Sequence, residues 1–150
     1  MIKEYIKGDL LQVTEGHIGH GVNCKGVMGS GIAKQIKDKY PEVFVIYSSL
    51  CDLYKPEELL GTAQNVVVNN DLTVWNIFSQ LNYGKDKKRY ASLKAIRSAF
   101  EYINEWMKQN KVQTLNIPKI GAGLGGLKWE DVERVINEVT PDINIIVYEL

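Results

Sequence analysis

The stretch "HIGHGVNCKGVMGSGIAKQIKDKY" (residues 17–40) decides how this chain folds. Its first seven residues read as a short buried strand, and its last ten carry Ile32, Ile36 and Tyr40 at helical spacing. Gly26, Gly29 and Gly31, with Ser30, cluster at the junction. Glycine is costly to order, so a strand, a glycine loop and a helix in direct succession imply that something must approach the backbone. Pro41 then ends the helix or starts another.

Outward from this unit the chain alternates short apolar runs with longer periodic ones. "IKEYIK" (2–7) reads as a strand ending at Gly8-Asp9, and "EVFVIYSSLCDLY" (42–54) as a helix. "TAQNVVV" (62–68) and "TVWNIFS" (73–79) flank the turn signal Asn69-Asn70-Asp71. Residues 90–110 place Leu93, Ile96, Ala99, Phe100, Ile103, Trp106 and Met107 on one face of a long amphipathic helix. A strand over 112–120, a helix over 129–139 and a strand over 143–150 complete the series. Strands alternating with helices predict an α/β layered fold with a largely parallel sheet covered on both faces. Such sheets bind ligands beyond the carboxyl ends of their strands. The glycine clusters after residues 23 and 120 both fall there.

Composition narrows the function classes. At 150 residues and 45% hydrophobic content, the chain has the size of one compact domain. Eighteen basic residues balance eighteen acidic ones, which argues against general nucleic-acid binding. The run Lys85-Asp86-Lys87-Lys88-Arg89 reads as a solvated loop or as a contact to a phosphate-bearing ligand. "MIKEYIKGD" is too charged for a signal peptide, and no apolar run reaches membrane-spanning length. The two cysteines, Cys24 and Cys51, form neither a disulfide framework nor a zinc spacing. A soluble, cytoplasmic, monomeric protein without metal or cofactor is the expectation.

The second cluster, "IGAGLGGL" (120–127), contains Gly121-x-Gly123-x-x-Gly126, the literal dinucleotide fingerprint, and Glu149 lies where a ribose-binding acid would follow. A dinucleotide fold needs further strands after this unit, so a dehydrogenase is rejected. The physics of the pattern survives: exposed amides before a helix attract anions, and four glycines in six residues exceed what a turn requires. Gly29-Ser30-Gly31 precedes a helix in the same way. Two such loops on one sheet edge suggest one extended ligand with two phosphates, or a phosphate and a sugar.

Single residues carry two readings each. Asn23 closes the strand and suits paired sugar hydroxyls, or forms a turn. His20 is a general acid or base, or a structural histidine on the face opposite Asn23; His17 reads as surface. Asp9 accepts from a nucleobase amino group or caps a helix. Tyr148 stacks on a base or covers the sheet. Cys24 lacks a neighbouring cation to lower its pKa, and Ser30 lacks a nucleophile-elbow frame because residue 28 is methionine.

Taken together, "KGDLL", "HGVNCKGVMGSGIAKQIKDKYP", "IFSQLNYG", "IPKIGAGLGGLKWEDVERVI" and "IIVYEL" resemble the macro domain family, in order and over nearly the whole chain. The resemblance implies a three-layer α/β/α sandwich around a mixed, mostly parallel six-stranded sheet, and ADP-ribose as ligand. It implies that Asp9 contacts the adenine amino group, beside Leu10, with Tyr148 and Leu150 flanking the ring. Asn23 would hold the distal ribose, and Val27, Met28, Gly29, Ser30, Gly31 and Ile32 would line it and the diphosphate. Ile120, Gly121, Ala122, Gly123, Leu124, Gly125 and Gly126 would wrap the diphosphate and the anomeric end, with Ser79 and Gln80 alongside. The chain is most similar to the small members that include ADP-ribose-1″-phosphate phosphatase and terminal ADP-ribose–protein glycohydrolase. The glycohydrolase branch uses a lysine where this chain has Gln80 and an aspartate where it has Gly125. The implied activity is therefore phosphoric monoester hydrolysis of ADP-ribose-1″-phosphate, with Asn23 and His20 as catalytic candidates. The alternatives are a non-catalytic ADP-ribose module and a hydrolase of ADP-ribosyl adducts such as esters.

Overall fold

A computed structural model describes residues 1–84 and 91–150 apart from the Leu124 side chain, so the basic run at 85–89 lies outside the described residues. Strands β1 (Ile2–Lys7), β2 (Gly16–Asn23), β3 (Ala63–Val67), β4 (Leu72–Gln80), β5 (Thr114–Ile117) and β6 (Asn144–Glu149) form one sheet. Their order is β1-β6-β5-β2-β4-β3, with β3 antiparallel to β4 and the other pairings parallel. The helices are α1 (Gly31–Lys39), α2 (Pro41–Leu53), α3 (Pro56–Leu59), α4 (Leu93–Gln109) and α5 (Trp129–Val139).

Period-two alternation sends the strand side chains into two separate cores. On β4, Trp75 and Ile77 pack with Phe100 and Ile103 of α4 and Val132 and Ile136 of α5. Val74 and Phe78 pack instead with Ile36 of α1 and Val43 and Tyr47 of α2. The result is the three-layer α/β/α sandwich with a mixed, mostly parallel six-stranded sheet that the resemblance implied.

The differences from the sequence reading lie at element ends. The long helix starts at Leu93 because the Ser92 hydroxyl accepts from Ala95 N–H at 3.2 Å and caps it. β5 stops at Ile117 because Pro118 has no N–H for the ladder. Helix α3 and the 3-10 turns Leu10–Gln12 and Gly123–Gly125 are too short to show a period and are absent from the sequence reading. No helix among the described residues is long and apolar enough to cross a membrane.

Both histidines are structural. His17, read as surface, is half-buried and accepts from the Trp75 indole N–H through Nδ1 at 3.0 Å, and burial lowers its pKa. His20 is fully buried at the centre of the sheet. Its Nε2 lies 2.7 Å from Asn76 Oδ1, while Asn76 Nδ2 donates to Gln64 Oε1 at 3.0 Å. Asn76 is thereby the acceptor toward His20, so Nε2 carries the proton and Nδ1 is left without a partner. Burial drives the His20 pKa down to about 4, against a smaller opposing contribution from the Asn76 bond.

A depressed folded-state pKa means that the unfolded chain binds more protons between the folded value and the ordinary one near 6.5. Stability should accordingly fall as pH drops from 6.5 toward 4, by about 3 kcal/mol from His20 at the lower end. Urea unfolding at pH 7 and pH 4.5 checks this. A His20→Asn variant should show a shallower loss, and an unchanged slope would assign the acid sensitivity to other groups.

Candidate functional site

Because five strands run parallel, the carboxyl ends of β1, β6, β5, β2 and β4 meet along one edge of the sheet. Two abutting cavities open there. The larger, about 380 Å³, lies between the loop after β2 and the loop after β5. Asn23, Val27, Gly29 to Ala33, Ser79, Gln80, Tyr83, Gly84, Ile120 to Ala122 and Gly125 are among the residues lining it. The smaller, about 270 Å³, is lined by Gly8, Asp9, Leu10, Gln35, Tyr148, Glu149 and Leu150. Ile32, Pro118 and Lys119 line both, so the two form one extended cleft.

The Asn23 side chain holds the first loop in shape. Its Oδ1 accepts from Lys25 N–H at 2.9 Å, Val27 N–H at 3.4 Å and the Tyr47 hydroxyl at 2.9 Å. Its Nδ2 donates to the Val27 carbonyl at 2.7 Å, which leaves one N–H over. The amide read as a paired donor and acceptor for a sugar is therefore mostly committed to the protein. Beyond it, the first i→i−4 bond of α1 runs from Lys34 N–H to Ser30 at 3.3 Å. The N–H groups of Gly31, Ile32 and Ala33 are left over at the helix N-terminus, and the Ser30 hydroxyl makes no capping bond. These donors face the larger cavity with the partial positive charge of the helix start.

The second loop folds back on itself. Gly121 has φ +81°, and a Cβ there would lie 3.0 Å from Ile96 and 3.1 Å from Leu127. Its carbonyl accepts from Leu127 N–H at 2.9 Å, which closes the loop. Gly125 N–H donates to Ala122, and Gly126 N–H to Gly123. A Cβ on Gly125 would sit 3.0 Å from Ala91 Cβ and 3.7 Å from Gln80 Oε1, so that position is tight. Gln80 Nε2 in turn donates to the Asn82 carbonyl at 2.7 Å.

Most residues singled out from the sequence come together here, but not all. Met28 is buried in the core on the α1–α2 side and anchors the loop from beneath instead of lining the cleft. Gly123 and Gly126 line neither cavity, since the 3-10 turn Gly123–Gly125 directs them away. The side chain of Leu124 lies outside the described residues. His20, read as catalytic, is fully buried and lines neither cavity. Asp9 is a cap, with Oδ1 accepting from Leu11 N–H at 3.0 Å at the start of the Leu10–Gln12 turn, and the residue also lines the smaller cavity. Cys24 is buried, with its thiol pushed up to about 12 by desolvation, and is protonated at neutral pH. Gln35, Tyr83, Pro118 and Lys119 were missed. Lys119 had a signal, a charge just past a buried strand and beside the glycine loop.

A parallel sheet edge that presents a helix N-terminus and a glycine loop to one cleft defines an α/β fold built to hold an extended anionic ligand. The macro domain family model matches residues 20–136, and the chain belongs to that family. It is 31% identical over 147 residues to the DNA ADP-ribosyl glycohydrolase of Mycobacterium tuberculosis, covering 96% of this chain but 41% of that protein. It is 31% identical over 179 residues to the ADP-ribose 1″-phosphate phosphatase of Debaryomyces hansenii, covering 99% of this chain and 98% of that one. The solved macrodomain of Mycobacterium tuberculosis DarG superposes with a TM-score of 0.83 at 29% identity, covering 100% of this chain and 98% of that one.

If Asn23 organises the loop, Asn23→Ala should lower stability by about 2 kcal/mol, because it removes the acceptor of the Lys25 and Val27 N–H groups and the donor to the Val27 carbonyl, while the Tyr47 hydroxyl keeps the Asn23 main-chain oxygen at 2.8 Å. Thermal denaturation measures this. A variant as stable as the parent would return Asn23 to a role in ligand contact alone.

Proposed function

We propose that this chain binds ADP-ribose and hydrolyses ADP-ribose-1″-phosphate to ADP-ribose and phosphate. The observation that carries the reading is the pair of abutting cavities. One end offers a carboxylate and an aromatic ring, Asp9 and Tyr148; the other offers the amides of the α1 N-terminus and the Gly121 loop. An adenine with its exocyclic amine suits the first, and a phosphorylated ribose suits the second. The near full-length similarity to the Debaryomyces phosphatase supports the same substrate.

In the reaction, water attacks the 1″-phosphorus and the bond to the C1″ oxygen breaks, so ADP-ribose leaves with a 1″-hydroxyl. Backbone amides that face the phosphate stabilise the charge that builds on its oxygens, and their fixed positions avoid reorganisation in the transition state. Asn23 lines the same cavity and keeps one N–H over as a further donor. His20 takes no part in proton transfer, because it is sealed and neutral. Without a histidine or carboxylate base among the described residues lining the larger cavity, turnover rests on electrostatics and should be slow.

The similarity to a DNA ADP-ribosyl glycohydrolase raises the second reading, removal of ADP-ribose from an adduct. The residues at the two positions disfavour it. Gln80 has no amine to open the ribose, and the space at Gly125 is already filled by Ala91.

Titration calorimetry should show ADP-ribose binding, with adenosine and ribose each at least about tenfold weaker, since neither fills both cavities. No binding of ADP-ribose at millimolar concentration would sink the reading. Asp9→Ala should weaken ADP-ribose more than its inosine analogue, which lacks the amino donor; equal losses would leave Asp9 as a cap. Incubation with ADP-ribose-1″-phosphate should release phosphate, and folded His20→Asn should keep the parent rate.

A further inference from the structure

The two cavities meet at Lys119, and its charge has a partner that can let go. Lys119 Nζ lies 3.0 Å from Glu149 Oε2, with both side chains more than a third exposed. Glu149 itself lines only the smaller cavity, whereas Lys119 lines both. Among the described residues of the cleft, Lys119 is the cationic one, and Asp9 and Glu149 are the anionic ones. As it stands, the seam is neutralised from within.

The backbones on either side of the pair are fixed. The Glu149 carbonyl accepts from Gly8 N–H at 2.8 Å, in the parallel register that pairs Lys7 with Glu149. Lys119 sits in a turn closed by Ile120 N–H to Pro118 at 2.9 Å and Ala122 N–H to Lys119 at 3.4 Å. What is free to move is the side chains, and an exposed ion pair is weak enough to be exchanged for a better partner.

We propose that Lys119 is a switchable cation: it pairs with Glu149 in the empty cleft and transfers to the ligand's diphosphate when that diphosphate crosses the seam. This inference rests on the ADP-ribose reading above. In that reading the adenosine end occupies the smaller cavity and the distal ribose the larger, so the group passing Lys119 is the one between them. A diphosphate carries more charge than one carboxylate and offers more acceptor oxygens, so the ammonium gains by the exchange. Glu149 is left exposed enough to be hydrated. The glutamate thus competes with the ligand for the lysine, and it also rejects a ligand with extra negative charge near the adenosine ribose.

Three variants and one ligand series test this by titration calorimetry. Lys119→Met keeps the stem and removes the charge, and it should weaken ADP-ribose roughly tenfold. Glu149→Gln removes the competitor and should tighten ADP-ribose by about threefold, while the double variant should match Lys119→Met alone. Raising NaCl from about 0.05 to 0.5 M should weaken the parent more than Lys119→Met. A parent that binds ADP-ribose beside a Lys119→Met that binds it equally well overturns this inference and leaves the functional reading intact. Weakening by Glu149→Gln equal to that of Lys119→Met makes the pair a fixed structural bridge, and overturns the switch. A parent that does not bind ADP-ribose overturns both.

Discussion

Parallel strand direction is the constraint on which everything else in this molecule depends. Each parallel pair needs a crossover, and the crossovers place helices on both faces, with α4 and α5 over one and α1 and α2 over the other. The same direction brings the ends of β1, β6, β5, β2 and β4 to one edge, where the ladder leaves backbone groups for the loops to satisfy. Only β3, antiparallel at the far edge, stands outside this arrangement. A cleft on the carboxyl edge follows from the topology, and the loop sequences decide what it can hold.

Within the cleft, side chains and backbone divide the work. Asn23, Tyr47 and Met28 spend their contacts on holding the first loop, and the amides at the start of α1 are what remains to meet a ligand. Gly121 does the same in the second loop, where any side chain would strike Ile96 and Leu127. A site made mainly of amides is rigid and favours negative charge, but it offers no strong base. This accounts for binding as the dominant capability and for slow phosphate hydrolysis as the proposed chemistry.

His20 illustrates how far a residue's neighbourhood overrides its usual chemistry. Three residues before Asn23 on the same strand, it sits in a fully buried position beside Asn76. There desolvation keeps it neutral well below the pH at which an exposed histidine would charge. Its contribution lies in the acid limb of stability.

The strands, the four longer helices and the two glycine loops were legible in the sequence, because hydrophobic period and glycine clustering are local properties of a chain. The binding residues on those loops were legible for the same reason: Gly29 to Ile32 and Ile120 to Ala122 are contiguous. The resemblance to the macro domain family added the ligand. Other assignments depended on which groups meet across the fold. That the side-chain oxygen of Asn23 is shared with Tyr47, twenty-four residues on, could not be read from the chain. Met28 looked like part of the binding loop until the turn put it in the core. Lys119 and Glu149 are thirty residues apart and come together because β5 and β6 are adjacent parallel strands whose register pairs each residue with the one thirty positions on. Period and composition report what each segment prefers by itself. Which polar groups are already satisfied, and which are left for a ligand, is decided only when the segments pack.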